Sequence, residues 1–198
     1  MCGVVERAAA CGILAALALM APAGRAIQAG DRQAEGQNPN AAILKDFVAR
    51  VEAYAALHEK LEKTLAPLPN AASPQRIAVH QRGLERLIAR ERSGAKRGDI
   101  FTPSIRAYMR RQLSRVFRSP DGPSVRAAIR DEETRAVRLA INGRYPDGLP
   151  RSSMPPQILL VLPRLPEPLE YRFVGERLVL LDIHALIVAD YMDDAFPR

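Results

Sequence analysis

The chain of 198 residues carries 29 basic and 22 acidic side chains, for a formal charge of +7, with two cysteines and three histidines. A chain of this length can bury one sizeable core without disulfides, so a single domain is expected. Both cysteines, Cys2 and Cys11, lie at the N-terminus, which excludes thiol catalysis and thiolate zinc sites from the rest of the chain.

The first 26 residues have the order of a secretory signal: positive charge at Arg7 and the amino terminus, an apolar run from Ala8 to Ala21, then small-residue sites at Ala21-Pro-Ala23 and Gly24-Arg-Ala26. The run is shorter than the roughly 20 residues needed to span a bilayer. Cys11 precedes most of it and so is not placed for lipid attachment. Cleavage is expected after Ala26, or else after Ala23, giving a secreted or periplasmic protein whose mature chain has no transmembrane segment and no disulfide. Residues 27–39 are polar and aperiodic, as a flexible mature N-terminus is. Residues 40–198 are expected to form one α+β domain, helical over 40–133 and rich in strand and proline over 134–198.

Asn40 has the character of an N-cap. After it Leu44, Phe47, Val51, Tyr54, His58, Leu61 and Leu65 recur at alternating spacings of 3 and 4, one apolar seam along a helix that Pro67 and Pro69 end. Ser73-Pro74 opens a second helix with Ile77, Leu84, Leu87 and Ile88 on its apolar face. Gly83 inside it suits a close approach of another backbone. Thr102-Pro103 opens a third helix with Ile105, Tyr108, Met109, Leu113, Val116 and Phe117 facing inward. A turn at Ser119-Pro-Asp-Gly-Pro123 leads to a short helix over 124–132, and Val137, Leu139 and Ile141 alternate as an extra strand would. In the proline-rich passage 146–168, a short helix is expected near 153–162, capped by Ser152 or Ser153, with the remainder lying along a sheet.

That sheet is the last thirty residues. Strands are expected over 170–174, 177–182 and 186–191, an antiparallel β-meander whose first reversal, Gly175-Glu176, suits a type II′ hairpin turn. Leu178 to Leu181 and Leu186 to Ala189 are apolar at consecutive positions rather than alternate ones. Such strands need cover on both faces. The helices supply one layer, and the proline-rich passage or a second subunit must supply the other, so a homo-oligomer through this sheet is a candidate assembly.

Phosphate-binding glycine loops, a GxSxG elbow and HExxH are absent. His58 lies in the seam of the first helix, one turn from Glu62, and His80 borders the apolar side of the second. Together they are candidates for a metal or acid–base pair; the plainer reading is two packed core histidines. His184, two residues after Asp182, has too common a spacing to weigh more. Asp99 in Gly98-Asp-Ile-Phe-Thr-Pro103 is a candidate catalytic carboxylate, or else an Asx-type holder of its loop. Asp131-Glu132-Glu133 reads as a solvated helix end. No metal and no cofactor are expected. The central residues 76–144 hold seventeen basic side chains against seven acidic, and all but one of the basic ones are arginine. Arg82, Arg86 and Arg90 form a stripe at four-residue intervals; Arg106 and Arg110, with Arg111 and Arg115, form others. Such rows suit phosphate or carboxylate polymers, though Glu85 and Glu91 interrupt the first. They lack the aromatic interleaving of nucleic-acid surfaces, so nucleic acid is not the expected partner.

Tyr54…Leu57-His58, Gly98-Asp-Ile-Phe-Thr-Pro103, Pro120-Asp-Gly122, Met154-Pro-Pro156 and Leu169-Glu-Tyr-Arg-Phe-Val-Gly175 with Leu186-Ile-Val-x-Asp190 together resemble a bacterial family of uncharacterised secreted proteins, over about residues 43–196. That resemblance implies export and supplies no activity. The final hairpin alone is similar to the tail of periplasmic nickel/cobalt-homeostasis accessory proteins. Without a His-rich or Met-rich segment here, their metal connection is not carried over.

The resulting expectation is an exported envelope protein, a non-enzymatic binding or structural module that takes an anionic polymer or partner protein on its arginine-rich helices. The alternative is an envelope hydrolase with Asp99, His58 and His80 lining a cleft. The export expectation has a direct check. The intact mass of the exported protein should correspond to a chain beginning at Ile27 or Gly24, and a retained Met1 or a lipid adduct on Cys11 would contradict it.

Overall fold

Proline sets the start of each long helix. A computed structural model describes residues 38–129, 137–146, 148–149 and 154–196, and all of these belong to one unit, Gln37–Arg198. In it α1 (Pro39–Glu62), α2 (Pro74–Glu91) and α3 (Pro103–Phe117) each place a proline in the first turn, where its missing N–H has no helical partner to lose. Asn38, rather than Asn40, caps α1, its side chain accepting from the Asn40 amide. Ser73 caps α2 as its sequence suggests, whereas the Thr102 hydroxyl makes no capping bond on α3. Two short helices follow, α4 (Gly122–Ile129) and α5 (Pro156–Leu159). The expected signal segment, the end of the 124–132 helix with its acidic triplet, and the Ser152 and Ser153 caps lie outside the described residues. No helix among the described residues is long and apolar enough to cross a membrane.

The architecture is α+β, with a three-stranded antiparallel sheet at the C-terminal end in the order β1 (Leu169–Val174), β2 (Arg177–Asp182), β3 (Ile187–Met192). Gly175 has φ 60°, while Glu176 has no positive φ, as the two central positions of a type II′ turn require. The two faces of the sheet are both covered. Leu178, Leu180, Ile187, Ala189 and Met192 join Phe47, Val51, Leu84, Ile88, Ile105, Met109 and Leu113 from the helices in one core. Val174, Val179, Leu181 and Val188 form a second core on the opposite face, with Tyr145 and, partly buried, Val137, Leu139 and Leu149. The second layer therefore comes from residues 137–149, ahead of most of the proline-rich passage. Met154, Ile158 and Leu162 turn instead to the helical side.

Three expectations fail locally. Residues 137–140 are not a strand; pairing with β3 begins just after them, at Asn142 to Tyr145 around an Arg144–Ile187 bridge. Arg92 explains the placement, since its guanidinium donates to the Asn142 side chain at 2.7 Å and the Asn142 amide donates back to the Arg92 carbonyl. Ile77 is 39% exposed, beyond the point where α2 meets the core. Gly83 faces the Leu65 side chain, 3.3 Å from where a Cβ would lie, and not another backbone.

β3 carries a bulge: Leu180 pairs with Asp190, but Leu181 pairs with Val188, leaving Ala189 extra. The insertion shifts the alternation by one, so Ala189 and Asp190 both lie on the helical side. Asp190, fully buried, there accepts hydrogen bonds from the amides of Gly98, Ile100 and Phe101, at 2.8 Å for the last two, and from its neighbour Tyr191. One carboxylate thus shapes the Gly98–Phe101 end of the α2–α3 connector. Asp190→Ala would orphan two buried donors at about 1–3 kcal/mol each. Chemical denaturation should register a loss of about 2–6 kcal/mol on that basis; a midpoint equal to the parent's would mean that water replaces the carboxylate without loss.

Candidate functional site

The α1 seam delivers Tyr54 and His58, one turn apart, to the end of β2, where Asp182 is fully buried. The Asp182 Oδ2 accepts from the Tyr54 hydroxyl at 2.8 Å and from His58 Nδ1 at 2.7 Å. Its Oδ1 accepts from the backbone amides of His184 and Ala185, at 3.0 and 2.8 Å, and so folds the turn between β2 and β3. Leu186 closes that turn at φ 54°, a left-handed conformation that leucine adopts only under constraint. Arg92 stacks over the Tyr54 ring, 4.8 Å from its centroid, and donates to the Ala189 carbonyl.

His58 points its other nitrogen at Glu62, one turn further along α1. Nε2 is 3.3 Å from Glu62 Oε2, within ion-pair distance when the ring is protonated but outside hydrogen-bond geometry, and this buried nitrogen has no hydrogen-bond partner. The other Glu62 oxygen lies 3.5 Å from His80 Nε2, on α2, and 3.7 Å from His184 Nδ1, in the β2–β3 turn. All three histidines of the chain meet at this glutamate. The His58 and His184 rings are 5.3 Å apart between centroids. His58 is almost wholly buried, whereas Glu62 and His184 are 36% and 45% exposed, so the cluster opens to solvent on their side.

Burial pushes the Tyr54 hydroxyl well above its ordinary range, reinforced by the Asp182 charge, so it remains a donor. For His58 burial is the largest influence and lowers the pKa. The Asp182 hydrogen bond and charge, with the charge and close polar contact of Glu62, overcome it and leave the imidazole above its ordinary 6.5. Burial lowers Arg92, against the pull of nearby tyrosine and carboxylates.

The sequence candidates separate. His58 and His80 come together through Glu62. Asp99 does not join them: it is exposed, its carboxylate accepts from the Lys96 amide at 2.7 Å, and its carbonyl accepts from Arg50. It holds the loop. Of the arginines, Arg82, Arg86 and Arg90 share the exposed face of α2, while those on α3 are largely engaged. Arg110 donates to the Asp193 and Asp194 carbonyls, Arg111 to Asn40, and Arg115 to Gln112; Arg106 is half-buried with its Nε unpartnered. Asp182 and His184, set aside in the sequence because their spacing is common, are the other members of the cluster. Their only sequence signal is the Asp-x-His spacing at a strand end. Comparisons with protein-family models, with curated proteins and with solved structures give no match, so the site is read from its own atoms.

The His58 shift has a pH consequence. A folded pKa above the unfolded value contributes stability fully present below about 6.5 and lost as pH rises through the folded value. In metal-free buffer the melting temperature should fall over that window, and His58→Gln, though less stable throughout, should lack that component of the slope. Parallel profiles for the two proteins would show that other groups set the pH dependence.

Proposed function

We propose that this protein is an exported, non-enzymatic binding module of the bacterial envelope, taking an anionic surface or partner on α2. The supporting observation is the fate of the acidic residues that interrupt the arginine row. Glu85 turns to Arg144, 3.1 Å away, while Glu91 reaches only Arg90, at 3.8 Å. Arg82 and Arg86 stay exposed with no ion pair among the described residues. With a rise of about 1.5 Å per residue, Arg82, Arg86 and Arg90 present three forked donors about 6 Å apart on one line, a spacing suited to a repeating anion.

The row borders an open groove of about 510 Å³, in which Arg76 and Arg86 stand beside Leu65, Leu68 and Val79. Leu68 and Val79 are exposed, so a ligand that combines anionic and apolar parts has contacts for both. The α3 arginines contribute less than the sequence suggests, because Arg110 already holds the end of the chain. The hydrolase alternative has less support, since the exposed Asp99 carboxylate accepts from the Lys96 amide and does not join His58 and His80.

Polyanion binding at such a row should weaken steeply with salt, through counterion release. Replacing Arg82, Arg86 and Arg90 together with glutamine should lower the salt concentration that elutes the protein from heparin and leave its melting temperature unchanged. Elution at the parent's salt concentration would refute this reading.

A further inference from the structure

The histidine cluster has the construction of a metal site. Asp182 is a carboxylate facing His58 Nδ1 at 2.7 Å, so in the neutral imidazole that nitrogen carries the proton and Nε2 has the lone pair a metal needs. A buried nitrogen with no hydrogen-bond partner is costly in a folded protein and calls for an explanation. We infer that His58 Nε2, a Glu62 carboxylate oxygen and His184 Nδ1 bind one divalent transition-metal ion of the zinc type.

The donor set fits. Imidazole nitrogen and carboxylate oxygen suit zinc and its neighbours, with ligand bonds of about 2.0–2.2 Å. One ligand atom from each of the three residues already lies within 4.8 Å of the others. Closing around an ion needs movement of Glu62 and His184, whose partial exposure leaves them room, while His58 is fixed in the core. Three protein ligands leave a fourth tetrahedral position to solvent.

The surroundings match what metal ligands require. A ligating histidine commonly gives its remote N–H to a carboxylate, which sets its tautomer and orientation. Asp182 does this for His58 and, through its second oxygen, fixes the backbone of His184. It therefore positions two ligands brought together from α1 and the β2–β3 turn. His80 reaches Glu62 from α2 and acts as a positioning residue for that carboxylate. Core packing alone accounts for a buried His58; it does not account for the orphaned Nε2 facing the chain's other two histidines across a single glutamate.

The test is calorimetric titration of the full chain with ZnCl₂ after chelator treatment, together with visible spectra on adding Co²⁺. A Cys2→Ser/Cys11→Ser background removes thiols as competing ligands. One ion per chain should bind in that background, and Co²⁺ should give the absorption of a four-coordinate site. Glu62→Gln and His184→Ala, both at partly exposed positions, should melt close to the parent yet each weaken zinc binding by at least about tenfold, the scale seen even for outer-shell changes. Absence of binding in the cysteine-free chain, or affinity unchanged in both variants, would overturn the inference. If either variant fails to fold, the Co²⁺ spectrum of the parent decides alone: a six-coordinate, aquo-like spectrum counts against the site.

Discussion

A carboxylate withdrawn from water must find its hydration shell in the chain, and this fold meets that demand twice in one hairpin. Asp182 and Asp190 are both fully buried, the first at the turn end of the β2–β3 pairing and the second at its bulge. Neither forms an ion pair with a lysine or arginine among the described residues, though the Arg92 charge acts on both; their oxygens are satisfied by backbone amides and, at Asp182, by Tyr54 and His58. Bonds to ionised acceptors are stronger than neutral ones, and their directionality fixes geometry that apolar contact leaves loose. Asp190 dictates the connector between α2 and α3. Asp182 dictates the turn between β2 and β3 and the angle at which α1 meets the sheet.

Arginines supply a second layer of constraint at the same junctions. Arg92 ties the C-terminal end of α2 to Asn142, to the Ala189 carbonyl and to the face of Tyr54. Arg97 reaches Asp193 at 2.6 Å and lies over the Tyr191 ring, and Arg110 grips the carbonyls beyond β3. Basic residues that look alike in a helical repeat therefore divide into fasteners and an exposed row. The division follows from which helix face the sheet's trailing edge happens to meet.

That division shows how far the sequence could be read. The α1 seam, the proline-led starts of α2 and α3 and the three strands were legible because each is a local pattern, and the consecutive apolar run at Leu178 to Leu181 correctly demanded two covered faces. The bulge at Ala189 was not legible. A one-residue shift in alternation looks like ordinary apolar crowding until the partner strand is known. The cluster was half legible: His58 and Glu62 are one helical turn apart, but Asp182 and His184 arrive from more than a hundred residues away, and nothing local in Asp-Ile-His announces a partner on α1. Asp99 holds its loop as the plainer sequence reading has it, but the larger share of that loop's bonds goes to Asp190, which no local pattern points to.

The separation of those partners also governs timing. Tyr54 and His58 are bonded to a residue more than 120 positions downstream, and the Gly98–Phe101 loop to one about 90 downstream. Long-range closures of this kind come late, because loop entropy is paid before the contact returns anything. During synthesis α1, α2 and α3 emerge without the groups that fix their connections and angles. They can form as helices, but the structure cannot lock until residues 182–190 have left the ribosome. Until then the three helices lack the carboxylates that fix their connections, and their apolar faces stay without the sheet that covers them.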